Sequence, residues 1–90
     1  MKISFDPNKR QWTLRERGLD FAQAGAIFAG HHFTREDRRQ AYSERGFVTA
    51  GRLDGRLVVL VWTQRADETR IISMRKANER EQAAYSHFLD

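Results

Sequence analysis

Three arginines stand at five-residue intervals late in the chain, Arg65, Arg70 and Arg75, with Glu68 inside the first gap and Tyr85 ten residues beyond the last. A guanidinium is a planar fork that grips phosphate in two places and stays charged. A carboxylate can take up a proton and a phenol can give one. These residue types hold the parts of phosphoryl transfer without a metal: cations for developing charge, a base and an acid. Arg75 is the first candidate for a phosphate clamp, with Arg65 beside it. Glu68 is the nearest base or orienter. Each has a plainer reading. Arg75 could form a surface salt bridge, and Glu68 could simply pair with Arg65 or Arg70. Tyr85 could donate a proton or stack on a base, but its spacing with Ala84 and Phe88 also suits core packing.

Strand periodicity limits how these groups meet. On a regular strand Arg75 shares a face with Ile71 and Ser73, and Arg70 shares the other with Ile72 and Met74. Arg70 and Arg75 then point apart unless a bulge intervenes. The histidines form no convincing site, because His31 and His32 are adjacent and His87 lies near the C-terminal end. No glycine-rich phosphate loop, HExxH string or nucleophile elbow occurs, so no metal and no cofactor is expected.

Ninety residues suit one domain over 1–90, and so short a chain buries only about 60% of its unfolded surface or slightly more. With 40% hydrophobic and 31% charged residues it reads as globular. Of 16 basic residues only Lys2, Lys9 and Lys76 are lysine, and the net charge is +4. That arginine bias suits a polyanionic partner, and also an arginine-rich proteome. Cysteine is absent, which excludes thiolate zinc sites and disulfides and fits a reducing cytosol. Leu57 to Trp62 is too short an apolar run for a membrane span, and Met1 to Phe5 lacks the apolar stretch of a signal peptide. A cytoplasmic location without membrane association is the expectation.

Local signals give the elements. Lys2 to Phe5 alternates like an edge strand. Asp6-Pro7 opens a helix that Gly18 ends. Asp20 starts a second helix, with Gln23 completing a capping-box-like pair and Gly30 closing it. His31 to Arg45 reads as a short strand followed by an exposed loop with a solvated charged face. Phe47–Leu53 and Arg56–Thr63 flank Asp54-Gly55, the strongest short hairpin signal, and the second run is apolar on both faces. A polar loop from Gln64 to Glu68 leads to a strand from Thr69 to Lys76. Asn78 then caps a last helix, with Glu81 three residues on. The expected fold is α+β: an N-terminal strand and two helices, an antiparallel β-meander of three to four strands, and a C-terminal helix.

Several strings resemble the BrnT toxin family, over nearly the whole chain. They are Phe5-Asp6-Pro7-Asn8-Lys9 at the start, Arg17-Gly18-Leu19-Asp20-Phe21 between the first helices, and Gly51-Arg52 before the apolar strand. Most specific are Thr63-Gln64-Arg65 and the run Arg70-Ile71-Ile72-Ser73-Met74-Arg75-Lys76-Ala77. The resemblance implies a RelE-like fold and an endoribonuclease that blocks translation. It also implies a ribbon-helix-helix antitoxin, BrnA, as partner, with a homodimer of the toxin inside a larger complex compatible with the family. In this reading RNA is the substrate, cut by attack of its own 2′-hydroxyl. Arg65, Glu68, Arg75 and Tyr85 carry the chemistry, while Lys9, Arg17, Arg52, Lys76 and Arg80 extend the RNA-binding surface. An ordinary solvated helix face accounts equally well for Lys9 and Arg80. The chain departs from the pattern at Arg17, where the family often has histidine. A guanidinium cannot serve as a base. That departure motivates a second reading: a module of the same fold that binds nucleic acid or antitoxin without turnover.

Overall fold

Turn chemistry sets the centre of the sheet. Asp54 and Gly55 adopt φ of 53° and 76°, the paired positive values that a tight hairpin needs. A computed structural model describes residues 1–37 and 44–89 of the chain. The exposed loop expected after the short strand falls largely at 38–43, outside the described residues. The elements are β1 (Lys2–Phe5), α1 (Pro7–Arg17), a 3-10 turn (Phe21–Gln23) leading into α2 (Ala24–Ala29), β2 (His32–Asp37), β3 (Gly46–Leu53), β4 (Arg56–Arg65), β5 (Glu68–Lys76) and α3 (Glu79–Leu89). They form an α+β fold with one five-stranded sheet in the order β1-β5-β4-β3-β2.

The meander β2 to β5 is antiparallel throughout, as expected, but β1 joins the edge of β5 in parallel, so the sheet is mixed. The expected loop from Gln64 to Glu68 is shorter than the sequence suggested. Arg65 pairs with Glu68, so only Ala66 and Asp67 turn the chain, with Ala66 at φ 52°. An alanine in the left-handed region costs roughly 1–2 kcal/mol and gives no glycine signal, which is why this turn is illegible. The second helix also starts differently. Asp20 caps it through the Ala22 amide, but Gln23 makes no side-chain cap and instead closes the 3-10 turn. Asp20 is shared with Arg10, which grips it at 2.7 and 3.0 Å and ties α1 to that turn.

Each face of the sheet carries its own core. Leu19, Phe21, Ala24 and Ile27 from the N-terminal helical segment pack on Val58, Leu60, Ile71 and Met74. On the opposite face, Leu89 of α3 and Ala77 pack with Val48, Ala50, Leu57 and Val59. β4 supplies both clusters alternately, which explains why its run is apolar on both sides. Among the described residues, no helix is long and apolar enough to cross a membrane.

Candidate active site

The strand pairing slips once. Val61 pairs with Ser73 but its neighbour Trp62 pairs with Ile71, so Ile72 is an extra residue in β5. The cause is the core: Ile71 and Met74 both enter the same buried cluster, and strict alternation would place them on opposite faces. The bulge re-phases everything after it. Arg70, opposite Thr63, and Arg75, opposite Val59, now share one face with Glu68 and Arg65. This is the α3 face. Arg70 and Arg75 stand four β4 residues apart, about 13 Å by strand rise, with Ser73 between them.

Arg75 meets α3. Its two terminal nitrogens donate to Glu81 at 2.6 and 2.7 Å. Glu81 also belongs to the expected capping box: its carboxylate accepts from the Asn78 amide at 3.0 Å, while its own amide donates to Asn78 Oδ1 at 2.8 Å. The Arg75 hydrogen bonds chiefly hold the Glu81 carboxyl down, from 4.5 to about 2, with Arg35 on β2 adding a smaller effect. Arg75 is raised in return, first by Glu81 and in smaller part by Tyr85 one turn further along α3. Tyr85 is half-buried, packs against the second core and lies 5.8 Å from the Phe33 ring. It is thus both a packing residue and a phenol beside Arg75.

This pair should give a pH signature. A carboxyl depressed in the folded state adds stability that is fully present above its unfolded value near 4.5 and fades as pH falls toward 2. Glu81→Gln keeps a capping side chain but removes the charge. We expect the variant to be less stable than wild type at neutral pH, and the gap to close as the pH drops from about 4.5 to 2. Urea unfolding across that range checks it; a gap independent of pH contradicts the pair's role.

The other end of the same face holds a cleft of about 320 Å³ lined by Lys9, Arg65, Arg70, Asp37, Glu44 and Thr63 among others. Arg65 donates to Glu44 at 3.1 Å. Glu68 lies 3.6 Å from Lys2 on β1, and not against Arg70. Among the described residues, Arg70 and Lys9 have no ion-pair partner. Arg65 pairs opposite Glu68 at the turn, six β4 residues or about 20 Å from Arg75's position. The structure therefore groups Arg65 with Lys9 and Arg70, and Arg75 with Tyr85 and Glu81.

The remaining expected RNA contacts scatter. Arg17 donates to the Met74 carbonyl at 3.0 Å and lies over the Trp12 ring, covering β5 where β1 has ended. Arg52 and Lys76 line a separate groove between the β3–β4 hairpin and α3, and Arg80 lies in the first turn of α3. Arg70 and Arg35 are additions. Arg70 is hidden from sequence reasoning by the bulge, and Arg35 by its place in the charged segment after α2. A family model described as the ribonuclease toxin, BrnT, of type II toxin-antitoxin systems matches residues 5–81. No curated protein matches the chain.

Proposed function

The chain belongs to the BrnT family of type II toxin-antitoxin ribonuclease toxins, and on that footing we propose that it cuts RNA without a metal ion. The observation that carries this reading is the bulge at Ile72, which turns Arg70 and Arg75 to the same open stretch of sheet. Two guanidiniums on either side of Ser73 suit a phosphate that gains charge as the 2′-oxygen attacks. Among the described residues Arg70 has no carboxylate to leave, so in this reading it meets substrate first. Arg75 is oriented by Glu81 with Tyr85 one turn further along α3, whose phenol would protonate the leaving oxygen. Glu81, held near 2, is too weak a base to take the 2′ proton. Glu68, about 7 Å beyond Arg70 on the same face, would take the 2′ proton at a phosphate held by Arg70. It stands about 20 Å from Arg75's position, so water and not Glu68 accepts that proton where Tyr85 is the acid. Lys9 and Arg65 widen the cationic surface.

The same surface suits an antitoxin that is acidic or amphipathic and orders on binding. In our reading it is a ribbon-helix-helix protein similar to BrnA, joined to two toxin copies in the cytosol. The meander with helices on both faces is compatible with a RelE-like fold. Incubating purified chain with RNA in excess chelator tests the enzyme reading. Cut RNA supports it. Intact RNA beside folded protein contradicts it and favours the binding module.

A further inference from the structure

Trp12 is a large apolar ring that the fold covers only in part. It is 46% exposed on α1, although burying such a ring is among the larger gains open to a small domain. It lines a cleft of about 420 Å³ between α1 and β5, together with Lys9, Arg17, Phe21, Ile72 and Ser73. Three observations give that cleft a chemistry. Its walls combine an indole with two cations, a pattern that binds single-stranded nucleic acid through stacking and backbone charge. Arg17 lies 5.0 Å from the Trp12 ring centroid and is anchored by its bond to the Met74 carbonyl, so the indole is held and not loose. Lys9 and Ile72 also line the cleft that holds Arg70 on the α3 side, so the two depressions adjoin around the edge of β5 just past β1's last partner, Ile71.

We propose that Trp12 is a nucleobase-stacking platform, holding an unpaired RNA base next to the phosphate gripped at Arg70. This rests on the ribonuclease reading for its substrate. Lys9, between the two clefts, then contacts the backbone that joins base to phosphate. Stacking is sequence-tolerant, because every base has a π-face, so the platform sets position more than identity. An RNA duplex keeps its bases stacked on each other, and the site therefore prefers single strands.

The test uses the full chain and a 2′-O-methylated single-stranded oligoribonucleotide, which binds but lacks the free 2′-hydroxyl. Trp12 and Trp62 are the two indoles, and Trp62 packs face to face on Phe47. Saturable quenching of tryptophan fluorescence is expected in wild type and should be lost in Trp12→Phe, which keeps a stacking ring and near-normal affinity. Trp12→Ala should bind roughly 5- to 100-fold more weakly. Quenching that survives in Trp12→Phe overturns the proposal. So does wild-type affinity in Trp12→Ala, which assigns the exposed ring to a protein partner instead. The two readings fail separately. A chain that cuts RNA with Trp12-independent binding refutes only the platform, and Trp12-dependent binding without any cutting refutes only the enzyme.

Discussion

Arg70→Ala is expected to lower RNA cleavage by about 10²- to 10³-fold while leaving the fold intact. Removing one preformed donor to a developing anionic centre typically costs that much. Arg70 is the cleaner of two probes. It has no ion-pair partner among the described residues, whereas Arg75 is bound twice by Glu81. Arg75→Ala should lose comparable activity but also some stability, because it leaves the capping carboxylate without its cation. If both arginines act on one phosphate, the double variant should lose far less than the product of the single losses. Single-turnover cleavage with circular dichroism on each variant decides it. Wild-type rates in folded Arg70→Ala would remove Arg70 from the site.

Phe21→Ala should cost about 3–5 kcal/mol, the usual range for truncating a fully buried phenylalanine. Phe21 is 1% exposed, belongs to the cluster between the helical segment and the sheet, and meets Phe5 edge-on at 6.0 Å. Ninety residues at about 0.05–0.15 kcal/mol each give a total stability near 5–13 kcal/mol. The substitution therefore takes a large share. At about 4–8 °C per kcal/mol for a domain of this size, the melting temperature should fall by more than about 10 °C. Thermal unfolding checks it. A fall of only a degree or two would mean that the cluster collapses around the gap and is not the principal core.

What could be read from the sequence was local. Asp6-Pro7, Gly18, Asp54-Gly55 and the Asn78–Glu81 box each signal a backbone geometry within four residues, and each forms as expected. Three features were not local. The Ala66 turn lacks a glycine because neighbouring strands enforce it. The parallel placement of β1 depends on which sheet edge stays open after the meander has formed. The bulge at Ile72 reflects a choice between Ile71 and Ile72 as the residue that joins Met74 in the core, which only the packed helical segment settles. That choice decides the candidate site. An unbulged strand sends Arg70 and Arg75 to opposite faces, whereas the bulge turns both to one. Arg35 was missed for a related reason, since its proximity to Glu81 depends on α3 reaching across to β2.

The most direct measurement of the central claim uses two matched single-stranded RNAs in excess chelator, one all-ribose and one with a 2′-deoxy sugar at the cut linkage. Metal-free attack by the neighbouring hydroxyl predicts that wild-type protein cuts the all-ribose strand and leaves the deoxy linkage intact. Cleavage of both strands, or cleavage that stops once divalent metal is removed, would contradict the mechanism built on Arg70 and Arg75.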